Sequence, residues 1–223
     1  MPTRTPPSRS ERAAVAIATL ALLAGHFSPW AAHVTAALTR SAHELSIMTN
    51  FTPGAGVFWN EWFLLPLWSA ALLIALLAGK RWLGLGLSWL VASLGLPAYP
   101  HLLTAYAHPE YRLQFFVTLG VIGAAAGLFA TGHTLHTPLR LGVLLACALA
   151  PAVPLVGYFM VKPAIEALYQ GTVGIGLGWW LTLAGVSALL LQVLKSWRAM
   201  RALPDQRVST SQVNLLGPDA PRP

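Results

Sequence analysis

Apolar residues in this chain come in long runs divided by short polar breaks. Six runs stand out, at about 13–30, 57–79, 82–96, 113–131, 139–161 and 172–194. Crossing a hydrocarbon core of about 30 Å takes about 20 apolar residues as a helix. The run at 82–96, stopped by Pro97 and Pro100, is only just long enough. The pattern predicts an all-α integral membrane protein, a bundle of about six transmembrane helices forming one domain over 13–201. A polar, Pro-rich and basic tail, 1–12, precedes it and a polar tail, 202–223, follows it; both read as disordered. The basic start and first apolar run also have the form of a signal peptide, but Val34-Thr35-Ala36 is a poor cleavage site and a retained helix is expected.

The longest polar interruption is Arg40 to Trp62. His26, His33 and Arg40 are spaced by seven, with His43 and Glu44 just beyond. On a continuous helix they form one side, opposite Val34, Leu38, Leu45 and Met48. Residues 32–48 therefore read as an amphipathic interfacial helix between the first and second spans, although Pro29 interrupts its link to the first. Thr52-Pro53 has the form of an N-cap with Pro at the first helical position. A helix beginning there carries Glu61 about 12 Å along its axis. With a start nearer Asn60, Glu61 is instead a first-turn acid favoured by the helix dipole.

Composition agrees with the bilayer reading. The chain is 56% hydrophobic and 9% charged, with mean hydropathy +0.61, whereas soluble domains are about a quarter charged. Net charge is +7. The basic residues flank apolar runs, so topology explains them and nucleic acid is not an expected partner. With both termini cytoplasmic, eleven Lys and Arg fall inside, and Arg40, Arg112 and Lys162 fall outside. That bias is a positive-inside pattern, and with the short loops it suggests a bacterial cytoplasmic (inner) membrane. The same threading gathers Glu44, Glu61, Glu110 and Glu166 with five of the seven histidines toward the outer side. The nine Trp, mostly near span ends, fit an interfacial belt.

Candidate chemistry is sparse. The single Cys147 excludes an internal disulfide and a CxxC motif. His43-Glu44 is not a zincin motif, because Ile47 stands where the second His belongs. Asn50-Phe51-Thr52 matches a glycosylation sequon, relevant only in a secretory-pathway membrane. Arg40, His43, Glu44, Asn60, Glu61, His101, His108 and Glu110 form the candidate polar cluster on the outer side. An overlapping set, His33, His43, His101, His108 and Glu110, has donor types that suit a transition metal, and His26 with His101 is the one pair placed for a haem. His133 and His136 read as a plain turn. No cofactor is the expectation that follows from spacing.

Gly123 to Gly127 and Gly174 to Gly178 are GxxxG patterns expected to bring helix backbones close. Pro66, Pro151 and Pro154 are expected to bend their helices. The leading functional expectation is a polytopic protein without a catalytic motif, a subunit of a larger membrane complex (with other subunits or copies of itself) or a small transport-related bundle. Two alternatives are a metal- or haem-binding protein or enzyme of the outer face, and a proton- or cation-coupled carrier using Glu61.

Overall fold

The computed structural model describes residues 8–33, 39–48, 60–79, 81–98, 100–131 and 135–215, with Asn60 and residues 203–215 described by backbone alone. The elements in chain order are α1 (Arg9–Phe27), β1 (Pro29–Ala32), β2 (Arg40–Ser41), α2 (Ala42–Met48), α3 (Leu65–Ala78), α4 (Trp82–Ser93), α5 (Pro109–Thr131), α6 (Thr137–Tyr169), β3 (Gly174–Ile175) and α7 (Leu177–Leu215). Short 3-10 turns at Asn60–Leu64 and His101–Leu103 lead into α3 and toward α5.

Four helical segments, Glu61–Ala78, Pro109–Thr131, Thr137–Tyr169 and Leu177–Ala202, are long and apolar enough to cross a membrane. The chain is accordingly a largely helical integral membrane protein. Its outward surface fits that environment: Leu83 is 90% exposed, and α1 presents Ile17 and Leu20 outward. A water-soluble protein rarely shows such contiguous apolar surface.

Side-chain and backbone contacts fix how the helices run. Leu22 lies against Gly185 while Gly25 lies against Thr182 and Gly178, so α1 and α7 are antiparallel. Ser88 Oγ donates to the Ala71 carbonyl, and Gly84 meets Ala78, so α4 reverses along α3. Gln114 and Thr118 both donate to the Gly95 carbonyl, and Trp89 Nε1 donates to that of Ile122, which turns α5 back along α4. Trp179 Nε1 donates to the Leu155 carbonyl, pairing the end of α6 with the start of α7. A half-buried ion pair between Glu11 and Arg140, 2.9 Å, puts the starts of α1 and α6 at one end. The opposite end carries the β-strands, α2 and the 3-10 turns, and is called the cap below.

Several boundaries differ from the sequence expectation. The Ser8 side chain caps α1 through the Glu11 amide, so the helix starts four residues before Ala13. The backbone of α7 continues to Leu215, past the expected limit at 201, because extending a formed helix takes one residue at a time and needs no new nucleus. Residues 32–48 are not one helix. Pro29 cannot continue α1 and the Ser28 amide closes it onto Ala24. The chain then runs extended, β1 pairing antiparallel with both β2 and β3 in the order β2-β1-β3, and only Ala42–Met48 is helical. Pro66 occupies the first turn of α3, where its missing amide is harmless, and bends nothing.

The core lies along α1, α3, α6 and α7, with Trp30, Phe63 and Tyr158 fully buried where those helices meet the cap. Trp30 is therefore a core residue and not part of an interfacial belt. A Cβ on Gly25 would overlap Thr182, and one on Gly178 would overlap the Ser28 and Gly25 carbonyls and the Trp30 ring. Gly178 brings backbones together as its motif implied, but across to α1 from the start of α7, with Gly174 in a strand. Around Gly123 and Gly127 an added Cβ would meet nothing among the described residues. Those glycines are exposed and meet no helix among the described residues. Gly178→Ala should therefore destabilise the protein by about 1–3 kcal/mol through overpacking, lowering its thermal midpoint in detergent by several degrees. Gly86→Ala, in open space on α4, should be neutral or stabilising by up to about 1 kcal/mol. Equal melting of the two variants would contradict the close approach of α1 and α7.

Candidate functional site

The polar residues singled out from the sequence all belong to the cap end, but they divide into separate groups. The first is built on β2 and α2. Ser41 and Glu44 form a capping box: the Ser41 amide donates to Glu44 Oε2 at 2.7 Å, and the Glu44 amide to Ser41 Oγ at 3.2 Å. Two free amides at the helix start are thereby satisfied reciprocally. Glu44 also pairs with Arg40 at 3.6 Å. The sequence signal, Ser-x-x-Glu at 41–44, was present and explains Glu44 without any ligand.

Arg40 reaches from this group to the end of α6. Its Nε donates to Tyr169 Oη at 2.9 Å, and that hydroxyl also contacts Met48 Sδ. His33 packs its ring edge-on to Tyr169, 6.0 Å between centroids, and its Nε2 lies against Gly171. Lys162 pairs with Glu166, which also accepts the Val173 amide and so fixes the turn leading to β3. Tyr169 is the hub joining β2, α2 and α6, and periodicity alone did not single it out.

His43, on α2, turns away from Arg40 toward α1. Its ring stands 5.6 Å from that of His26, and Phe27 completes the group at 4.8 Å from His26 and 6.0 Å from His43. His26 is fully buried. Neither of its ring nitrogens makes a hydrogen bond of good geometry, the Phe63 backbone being a polar group set against the ring, and Nδ1 of His43 has no partner. The heptad that placed His26, His33 and Arg40 on one helix face does not survive the chain reversal between Ser28 and Ser41. That same reversal is what delivers His43 to His26.

Glu61 sits in the 3-10 turn at the head of α3 and is 7% exposed. Its placement is that of a first-turn acid, as in the shorter of the two sequence readings. Thr52-Pro53, the sequon at Asn50 and the side chain of Asn60 lie outside what the structure describes, as does His133. Arg40 and Lys162, two of its expected partners, are paired with Glu44 and Glu166. Among the described residues Glu61 makes no ion pair with any cation. The turn that carries it packs against α2 and α6.

The last group lies between α4 and α5. His101 stacks on Tyr111, ring centroids 4.8 Å apart, and His108 Nδ1 is 3.6 Å from Glu110. These ring and ion-pair contacts stay within residues 101–111. The structure thus places His33, His43, His101 and His108 with four different neighbours, and His26 with His43, not with His101. Among the described residues, no three His, Cys, Asp or Glu side chains converge in the manner of a metal centre. Beside the polar groups, an apolar groove of about 490 Å³ opens between α6 and α7, lined by Leu155, Phe159, Met160, Trp179 and Leu183 among others. The Trp179 indole there is already committed to Leu155, so the groove suits a hydrocarbon chain and has no polar anchor.

Burial holds the His43 pKa below its ordinary 6.5, with Glu44 opposing the shift. The unfolded chain takes up the proton first as pH falls, so the native contribution is complete above 6.5. It declines as pH drops below 6.5 and is gone below the depressed native value. The His43 contribution to thermal stability in detergent should therefore fall between pH 7 and 5, and His43→Phe, which keeps an aromatic ring without a titratable group, should lessen the dependence over that range; an unchanged slope would refute the assignment. No family model matches the chain, and no curated protein or solved structure matches it.

Proposed function

We propose that the protein is a non-catalytic subunit of a larger membrane assembly, crossing the bilayer six times with both termini on the cytoplasmic side of a bacterial inner membrane. The alternation of α1, α3, α4, α5, α6 and α7 supports the six crossings. At about 1.5 Å per residue, α1, with 19 residues, is close to bilayer thickness, and α4, with 12, falls well short. The positive-inside bias supports the orientation, since it puts Arg81 and Arg140 at the end that also holds the start of α1.

The observation that carries the assembly reading is the outward face of α5. Phe116, Gly120, Gly123 and Gly127 share one side of that helix at helical spacing, and no described residue lies within reach of a Cβ at any of these three glycines. Glycines gain nothing by facing lipid, but they let another transmembrane helix approach closely. The adjacent α4 is short and highly exposed, and a helix shorter than the hydrocarbon thickness is relieved by oligomerisation. The cap supports the same reading from the other side: its polar groups are largely spent on one another, which suits a rigid scaffold better than a reaction centre. The carrier alternative retains one supporting observation, the burial of Glu61 without a cation among the described residues.

The test uses protein extracted from its native membrane in mild detergent. Gly123→Leu with Gly127→Leu should convert a larger assembly into the single chain, with the thermal midpoint of that chain unchanged. A wild-type protein that is already a single chain, or an assembly indifferent to both leucines, would overturn the proposal.

A further inference from the structure

Among the described residues four buried side-chain nitrogens lack a hydrogen bond of good geometry, and three of them belong to His26 and His43. The fourth, Trp68 Nε1, lies elsewhere on α3. A buried polar group left unpaired bears its whole desolvation penalty, and native structures avoid this with few exceptions. Two such groups side by side are a concentration of donors and lone pairs in an apolar setting. His26 closes the end of α1, Phe27 walls one side, and the Phe63 backbone is a weak hydrogen-bond partner at one edge of the His26 ring, leaving the other nitrogen for a ligand. A Leu or Phe would fill the same volume without penalty, so the imidazoles call for a ligand.

We propose that His26 and His43 form a low-coordinate site for a soft monovalent metal ion, Cu+, reached from the cap surface past His43. An ion about 2 Å from each coordinating nitrogen stands roughly 3 Å from each ring centre, so a near-linear pair has centroids about 6 Å apart. The observed separation is 5.6 Å, and the 74° between ring planes is compatible because coordination leaves rotation about the metal–nitrogen direction open.

The chemistry favours one charge and two ligands. Zinc takes four ligands in structural sites, and among the described residues no third His, Cys, Asp or Glu joins this pair. A divalent ion held by two neutral imidazoles in an apolar pocket would leave two uncompensated charges there. Cu+ carries half that charge, tolerates two-coordination and accepts imidazole nitrogen. Of the sulfur residues, Met48, which ends α2, is engaged with Tyr169, and Cys147 is buried within α6. His26 is inaccessible by itself, but His43 is only half-buried, so the ion would be taken from solution by His43 and closed over His26. The site does not depend on the assembly reading above.

The experiment uses the full chain in lipid nanodiscs, titrated anaerobically with Cu+ against a chromogenic chelator, with Zn2+ as a parallel arm. The wild type should retain a single Cu+ per chain in preference to Zn2+, with an X-ray absorption spectrum of low-coordinate nitrogen ligation and no sulfur. His43→Ala, at a half-buried position where folding should survive, should weaken retention by more than about a hundredfold, beyond the loss expected from a residue outside the ligand shell. His108→Ala, whose partner is Glu110, should bind as wild type. Failure of the wild type to hold Cu+ against the chelator, preference for Zn2+, or undiminished binding in His43→Ala would overturn the site.

Discussion

The close approach of α1 and α7 is the constraint on which the rest of the cap depends. Helices in lipid gain little from hiding apolar surface from one another, so association rests on packing and on hydrogen bonds. Gly25 and Gly178 remove the side chains that would hold the backbones apart. Into the space just beyond them goes Trp30, whose indole donates to the Gly25 carbonyl at 2.8 Å. Phe63 and Tyr158 pack edge-on to that ring, and Tyr158 donates to the Gly174 carbonyl. One seam therefore fixes α1, α7, the head of α3, the end of α6 and the strand β3 together.

The sheet is a consequence of that seam. Once Pro29 ends α1, the following backbone amides and carbonyls need partners, and at the edge of a membrane such groups are costly to leave free. β1 obtains them from β2 on one side and β3 on the other, and the Gly176 amide adds a bond to the Trp30 carbonyl. Gly176 and Gly178 are small because that strand and its neighbours pass against α7 without room for side chains. Arg40 and Tyr169 then tie β2 to the end of α6, and the capping box starts α2 where β2 stops. The polar residues of the cap are mostly accounted for by this accumulated hydrogen bonding.

Helix placement was legible in the sequence because apolar run length is set by bilayer thickness, a strong and local constraint. All six expected runs contain a helix, although only four helical segments are long and apolar enough by themselves. The cap was much less legible. A heptad of polar residues from His26 to Arg40 is indistinguishable from an amphipathic stripe until Pro29 is given its full weight, and one of the two partners of β1 lies far away at Gly174–Ile175. The capping box at Ser41 was readable from four residues alone. Gly25 carries no motif, since its meaning comes from Thr182 and Gly178 across the bundle. Gly123 and Gly127 show the reverse: the motif is plain, yet nothing among the described residues answers it. Glu61 was marked as an acid at membrane depth, while its place in the 3-10 turn that leads into α3 depended on where that helix begins.

The two ends of the bundle's construction differ in what they leave unsatisfied, and the difference is informative. Around α1 and α7 small residues meet backbone, indole meets carbonyl, and the glycines are filled by neighbours. Around α4 and α5 hydrogen bonds are also present, from Gln114 and Thr118 to Gly95 and from Trp89 to Ile122, but the outward glycines remain open. Close packing in a membrane is specific in a way that lipid contact is not, since an added methyl on an open face need displace only a mobile chain. An open glycine face therefore brings no benefit to the isolated chain, whereas the filled one at Gly25 and Gly178 holds it together. The same logic separates the histidines. His33, His101 and His108 have neighbours that account for them, while His26 is buried and His43 half-buried, each with the other as its imidazole neighbour.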